Sequence, residues 1–165
     1  MLIVERKPKS IEAEAYRSLR TNIQYSSFDN KYQTLVVTSA NPGEGKTTVA
    51  GNLALALAQG ESKVLLVDCD MRRPSIHKTF KISNTYGISD LLVGNKKLES
   101  VANKYNDNLS IVPAGKIPPN PAEMLASKVI LLITNHLLTI ISNGKLTIFD
   151  IRKRFITGYF FIFKS

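Results

Sequence analysis

Residues 34–60 leave this chain few choices of fold. Thr34-Leu-Val-Val-Thr38 is a short apolar run of the length of a buried strand, and it leads into the turn Asn41-Pro42-Gly43-Glu44-Gly45. From Lys46 to about Gln59 the chain is rich in Ala and Leu and reads as a helix, with Gly60 as its stop. Between strand and helix lies Ala40-x4-Gly45-Lys46-Thr47, a P-loop pattern with alanine at the first glycine position. Each position has a chemical reason. Gly43 and Gly45 let backbone N–H groups close around a β-phosphate, and the start of the helix adds its positive dipole end. Lys46 is long enough for the β- and γ-oxygens, and the Thr47 hydroxyl suits Mg²⁺. The expected contacts to a nucleoside triphosphate are therefore Pro42, Gly43, Glu44, Gly45, Lys46, Thr47 and Thr48.

Val64-Leu-Leu-Val67 is a second continuous apolar strand, and it ends in Asp68 and Asp70. Apolar strands joined through a helix predict an α/β fold, a P-loop NTPase-type parallel sheet with helices on both faces. Carboxylates at the carboxyl edge of such a sheet face the ligand crevice, so Asp68 and Asp70 are candidate metal ligands or bases. A pair of turn residues that merely stabilise the strand exit has the same spacing. Arg72 and Arg73 follow at once, and a guanidinium suits phosphate as well as it suits an exposed surface. The guanine-reading pattern Asn-Lys-x-Asp is absent, because Asn103-Lys104-Tyr105-Asn106 lacks the aspartate. ATP is the expected nucleotide.

Elsewhere the signals are coarser. Glu12 to Tyr25 has helical spacing behind a candidate N-cap, Ser10, with Ile11, Ala15, Leu19 and Ile23 on one stripe. Met71 to Phe80 reads as a loop, Gly87 to Val93 as a short helix and Leu109-Ser-Ile-Val112 as a third strand. Asn120-Pro-Ala-Glu has the form of a helix start with proline in the first turn. The net charge of +9 invites a nucleic-acid partner. Yet the basic residues are spread, 17 against 12 acids up to residue 128 and five against one beyond it, which describes a solvated surface. No nucleic-acid partner is expected. The lone Cys69 excludes a disulfide framework and fits a reducing cytoplasm. The opening MLIVERKPKS is too short an apolar stretch for a signal peptide, and a soluble protein is expected. After Lys128 the composition changes: five of the seven phenylalanines and eight isoleucines fall in 129–165, with no alanine, glutamate or proline.

Taken together, Thr38-Ser-Ala-Asn-Pro-Gly-Glu-Gly-Lys-Thr-Thr48, Asn52-Leu-Ala, Val64-Leu-Leu-Val-Asp-Cys-Asp-Met-Arg-Arg-Pro74, His77 and Phe80 resemble the bacterial tyrosine autokinases of capsular and exopolysaccharide synthesis. Asp68-x-Asp70-x-Arg72 is similar to the family's second aspartate motif, Glu14-x2-Arg17-x2-Arg20 to its oligomerisation motif, and Asn120-Pro-Ala-Glu-Met-Leu-Ala126 to a further stretch. The resemblance covers about residues 10–128. It implies a cytoplasmic ATP- and Mg²⁺-dependent kinase in which Lys46, Asp68 and Asp70 are catalytic and Thr47, Asp68 and Asp70 hold the metal. It also implies self-association into a ring through Glu14, Arg17 and Arg20, and recruitment to the membrane by an activator of the polysaccharide co-polymerase type.

Two family features have no clear counterpart. The strand ending in Asp-Thr-Pro-Pro is missing, and the nearest substitute is Leu146-Thr-Ile-Phe-Asp150 with the wrong sequel. The tyrosine-rich tail is missing too, since Tyr159 is the only tyrosine after Tyr105. The expectation is a C-terminally incomplete domain, 1–128, followed by a divergent or frameshifted tail, 129–165. Two other readings stay open. One is a partitioning ATPase of the MinD/ParA type, against which stands Asn41 where those carry a second lysine; the other is an inactive nucleotide-binding remnant.

Overall fold

A computed structural model describes residues 2–26, 34–120 and 158–164 of the chain. The order of elements is α1 (Ile3–Arg6), α2 (Ile11–Tyr25), β1 (Thr34–Thr38), α3 (Lys46–Gln59), β2 (Lys63–Asp68), α4 (Ile76–Phe80), α5 (Ile88–Leu92), α6 (Leu98–Val101), β3 (Asn103–Lys104), β4 (Leu109–Val112) and β5 (Gly158–Lys164).

The five strands form one sheet in the order β1-β5-β2-β4-β3. β2 and β4 pair in parallel, and β1 runs the same way as β2, because both are antiparallel to the β5 between them. The parallel frame expected from the apolar runs is therefore β1, β2 and β4. β3 and β5 make the sheet mixed. The carboxyl ends of the three parallel strands, at Thr38, Asp68 and Val112, share one edge. Gly158 and Tyr159 stand in register with Thr38 and Asp68, so β5 begins at that edge between the two strands that carry the site.

α3 contacts β1, β5, β2 and β4 and supplies the centre of the core. Residues 50–58 of this helix are all buried, and Leu53 and Leu57 meet Val64, Leu66, Leu109 and Ile111 in one apolar cluster. Each such side chain contributes about 1.5–3 kcal/mol by leaving water. The helix is buried on all sides because α1 and α2 cover its outer face. Leu2 lies against Gly51, and the Val4 N–H donates to Oδ1 of the buried Asn52 at 3.0 Å.

α2 forms as expected, and the Ser10 hydroxyl caps it by accepting from the Ala13 N–H at 3.2 Å. Its inward face, however, is Ala13, Tyr16 and Ile23, whereas Ile11 is 88% exposed and Leu19 39%. A small residue at the contact lets the α2 backbone approach α3 closely, so the alanine and not the isoleucine faces the core. The segment 71–80, expected as a loop, contains α4 with buried Ile76 and Phe80. α1, α6 and β3 carried no signal long enough to read. The helix expected after Asn120 lies outside the described residues, as does Asp150.

Candidate functional site

The P-loop is built by conformation before chemistry. Gly43 and Gly45 sit at φ +84° and +83°, left-handed positions where a side chain would be strained by about 1–2 kcal/mol. Gly45 is the N-cap of α3, so Lys46 and Thr47 are its first two residues and the loop's N–H groups precede a helix start. The loop is tied from within. The Glu44 carboxylate accepts from the Asn41 side-chain amide at 2.9 Å and from the Asn41 N–H at 3.1 Å. These bonds hold the Glu44 carboxyl below its ordinary range. Lys46 Nζ donates to Ser39 Oγ at 3.0 Å, and that hydroxyl donates in turn to the Asn41 carbonyl at 2.9 Å. Lys46 is thus folded back over the strand exit.

Across the edge, Asp68 is fully buried and Asp70 9% exposed. Asp68 accepts three backbone N–H groups: Asp70 on Oδ1 at 3.0 Å, and Ser75 and Ile76 on Oδ2, both at 3.2 Å. The last two are the N-cap and first residue of α4, so the aspartate at the end of β2 organises the start of that helix. Burial raises the Asp68 pKa to about 7 against the pull of these hydrogen bonds. Asp70 accepts the Arg73 N–H at 3.1 Å, while Arg72 and Arg73 are exposed.

Ser75, not singled out from the sequence, joins the two halves. Its Oγ lies 2.6 Å from Thr47 Oγ1, while its N–H is bound to Asp68. A serine between Pro74 and an apolar residue is an ordinary N-cap signal, and it is the cue that would have marked both this residue and α4. Thr47, Asp68 and Asp70 are hard oxygen donors converging on one sheet edge, which is the donor chemistry Mg²⁺ prefers. Among the described residues no three His, Cys, Asp or Glu side chains form a cage.

The three residues of the expected oligomerisation motif divide. Glu14 and Arg17 pair on the surface at 2.8 Å, and Arg17 also donates to the Pro8 carbonyl. Arg20 turns inward instead, and its Nη1 donates to the Ala56 carbonyl in the last turn of α3 at 3.0 Å. A cation there satisfies a helix C-terminal carbonyl and its dipole. Arg20→Ala is therefore expected to cost about 1–2 kcal/mol. Thermal melts followed by circular dichroism check this, and Arg20→Lys should recover part of the loss.

Residues 32–151 match the AAA domain family. The match runs past Lys128, further than the quoted motifs reach. The chain is 44% identical over 128 residues to the tyrosine-protein kinase YwqD of Bacillus subtilis, covering 77% of this chain and 54% of the relative. It is 37% identical over 138 residues to the putative tyrosine-protein kinase CapB of Staphylococcus aureus, covering 83% and 60%. Among solved structures it superposes on the chimerical protein CapA2B2 with a TM-score of 0.79 at 38% identity, covering 84% and 62%. With the kinase domain of the Escherichia coli tyrosine kinase ETK the TM-score is 0.76 at 32% identity, covering 81% and 52%. The chain thus spans between about half and two thirds of the length of these four proteins. The chain belongs to the AAA domain family, with the P-loop fold of the bacterial tyrosine-protein kinases.

Proposed function

We propose that this chain binds ATP with Mg²⁺ and transfers the γ-phosphoryl group to tyrosine hydroxyls, as a kinase domain serving capsular or exopolysaccharide synthesis. The observation that carries the reading is the linkage of the P-loop to the Asp68 loop through Thr47 and Ser75. It joins a phosphate seat and a buried carboxylate across one sheet edge. Lys46 leaves Ser39 to meet the β- and γ-oxygens and offsets charge developing there. Asp68, with its pKa near neutrality, orients the tyrosine hydroxyl and takes its proton as the tyrosine oxygen bonds to the γ-phosphorus. The bond from that phosphorus to the β–γ bridging oxygen breaks, and ADP leaves. Thr47 and Asp70, with Asp68 beside them, would hold Mg²⁺. The metal, when bound, supplies charge neutralisation on the phosphates.

Self-association through the exposed Glu14–Arg17 face of α2 and recruitment by a membrane activator belong to the same proposal. Among the described residues no helix is long and apolar enough to cross a membrane. The deciding experiment is incubation with labelled ATP, with and without the cytoplasmic part of a candidate activator. Phosphotyrosine supports the kinase; free phosphate without it indicates an ATPase of the partitioning type, and binding alone a remnant. Lys46→Met should weaken ATP binding at least tenfold by removing a charge-assisted phosphate contact. Undiminished affinity by calorimetry would sink the site assignment.

A further inference from the structure

We propose that Ser75 is a positioning residue for the cation seat: its hydroxyl accepts the Thr47 proton and so turns a Thr47 lone pair toward the metal. The inference rests on the reading of Thr47 as a Mg²⁺ ligand.

A hydroxyl that ligates a cation keeps its proton and must direct it to an acceptor on the far side. The 2.6 Å separation of Thr47 Oγ1 and Ser75 Oγ is a short O–H···O contact, in which either oxygen can donate. A cation at Thr47 removes that freedom. Thr47 must then donate, and Ser75 Oγ stands at accepting distance. Ser75 is suited to this because its backbone is fixed on both sides. Its N–H is bound to Asp68 at 3.2 Å, and its carbonyl accepts the Thr79 N–H at 3.1 Å and the Thr79 hydroxyl at 3.2 Å. Pro74, whose ring fixes its own φ, stiffens the approach to it. Its neighbour Ile76 is fully buried and bound to the same Asp68 oxygen. One short segment therefore holds both a hydroxyl against the first-helix-turn threonine and two N–H groups against the buried carboxylate. Partners of metal ligands placed in this way typically change metal affinity 10–100-fold when removed.

The test uses the full chain and a fluorescent ATP analogue (mant-ATP), titrated at fixed Mg²⁺ series and in EDTA. Ser75→Ala is expected to raise the Mg²⁺ concentration for half-maximal binding about tenfold or more while leaving affinity in EDTA within about twofold. Ser75→Thr keeps the hydroxyl and should restore the wild-type Mg²⁺ midpoint. Ser75→Cys, similar in size and weak in hydrogen bonding, should shift it as alanine does, which guards against an alanine variant that fails to fold. An unchanged midpoint in Ser75→Ala overturns the inference. So does equal weakening with and without Mg²⁺, the mark of a purely structural role. A wild-type affinity that ignores Mg²⁺ overturns the metal reading beneath it, and this outcome is distinct from the other two.

Discussion

The Gly87→Ala protein is expected to melt on the order of 10 °C below the parent chain. Gly87 is the N-cap of α5, and its backbone lies directly on the segment that leaves β4. A Cβ there would stand 2.1 Å from the Pro113 carbonyl oxygen and 2.3 Å from the Gly115 nitrogen. Both are backbone atoms, so no side chain can swing aside to make room. Relief requires separating the two segments, which breaks the bonds from Ile88 N–H to Pro113 at 2.8 Å and from Ser89 N–H to Ala114 at 3.1 Å. Two buried backbone bonds at about 1 kcal/mol each, plus about 1–3 kcal/mol for overpacking, give a loss of about 3–5 kcal/mol. The same movement strains the bracket in which Asn84 accepts from the Gly115 N–H at 2.9 Å and donates to its carbonyl at 3.0 Å. That bracket sits past the carboxyl end of β4, on the edge that carries Asp68. Nucleotide affinity should therefore fall together with stability. A melting point within 2–3 °C of wild type would show that the two backbones are not packed as described.

This close approach also shows what a linear reading can and cannot reach. β1, α3 and β2 were legible to within a residue or so because each is specified locally: apolar runs of strand length, positive-φ glycines at a turn, an Ala/Leu run stopped by Gly60. The candidate residues of the P-loop came with them, since the motif is contiguous. α4 was not legible, although α5, equally short, was, because the acceptor that starts α4, Asp68, lies seven and eight positions upstream of Ser75 and Ile76. Arg20 looked like an exposed motif residue until the fold set α2 against the end of α3, 36 positions on. β5 is further still from its partners. Nothing in Gly158–Lys164 says that it will lie antiparallel between β1 and β2. Long-range pairings of this kind follow from which sheet position is left to fill, and the residues themselves do not record it.

Asp68 should give the second large effect, and one with a pH signature. Asp68→Ala removes the acceptor for three backbone N–H groups of which two lie in buried surroundings, at a cost of about 2–5 kcal/mol. Asp68→Asn keeps one oxygen for a single side and sets an NH₂ group against donors on the other, so it should fall between wild type and alanine. The titration then separates charge from shape. Burial, the largest influence, lifts this carboxyl from 3.8 to about 7. Between about pH 4 and 7 the folded chain therefore keeps a proton that the unfolded chain has already released. By linkage, stability from this group is fully present below pH 4 and is lost as pH rises through 7, by roughly 4 kcal/mol across the window. The asparagine variant has no such proton. Urea midpoints measured without nucleotide or divalent cation from pH 4 to 8 should show wild type losing ground to Asp68→Asn as pH rises. Parallel curves would refute the raised pKa. The destabilised anion is also the state that gains most from a cation or a proton-bearing hydroxyl, so ATP with Mg²⁺ should stabilise wild type more at pH 8 than at pH 5. A buried carboxylate that weakens the empty fold when ionised is thereby matched to the ligands proposed for it.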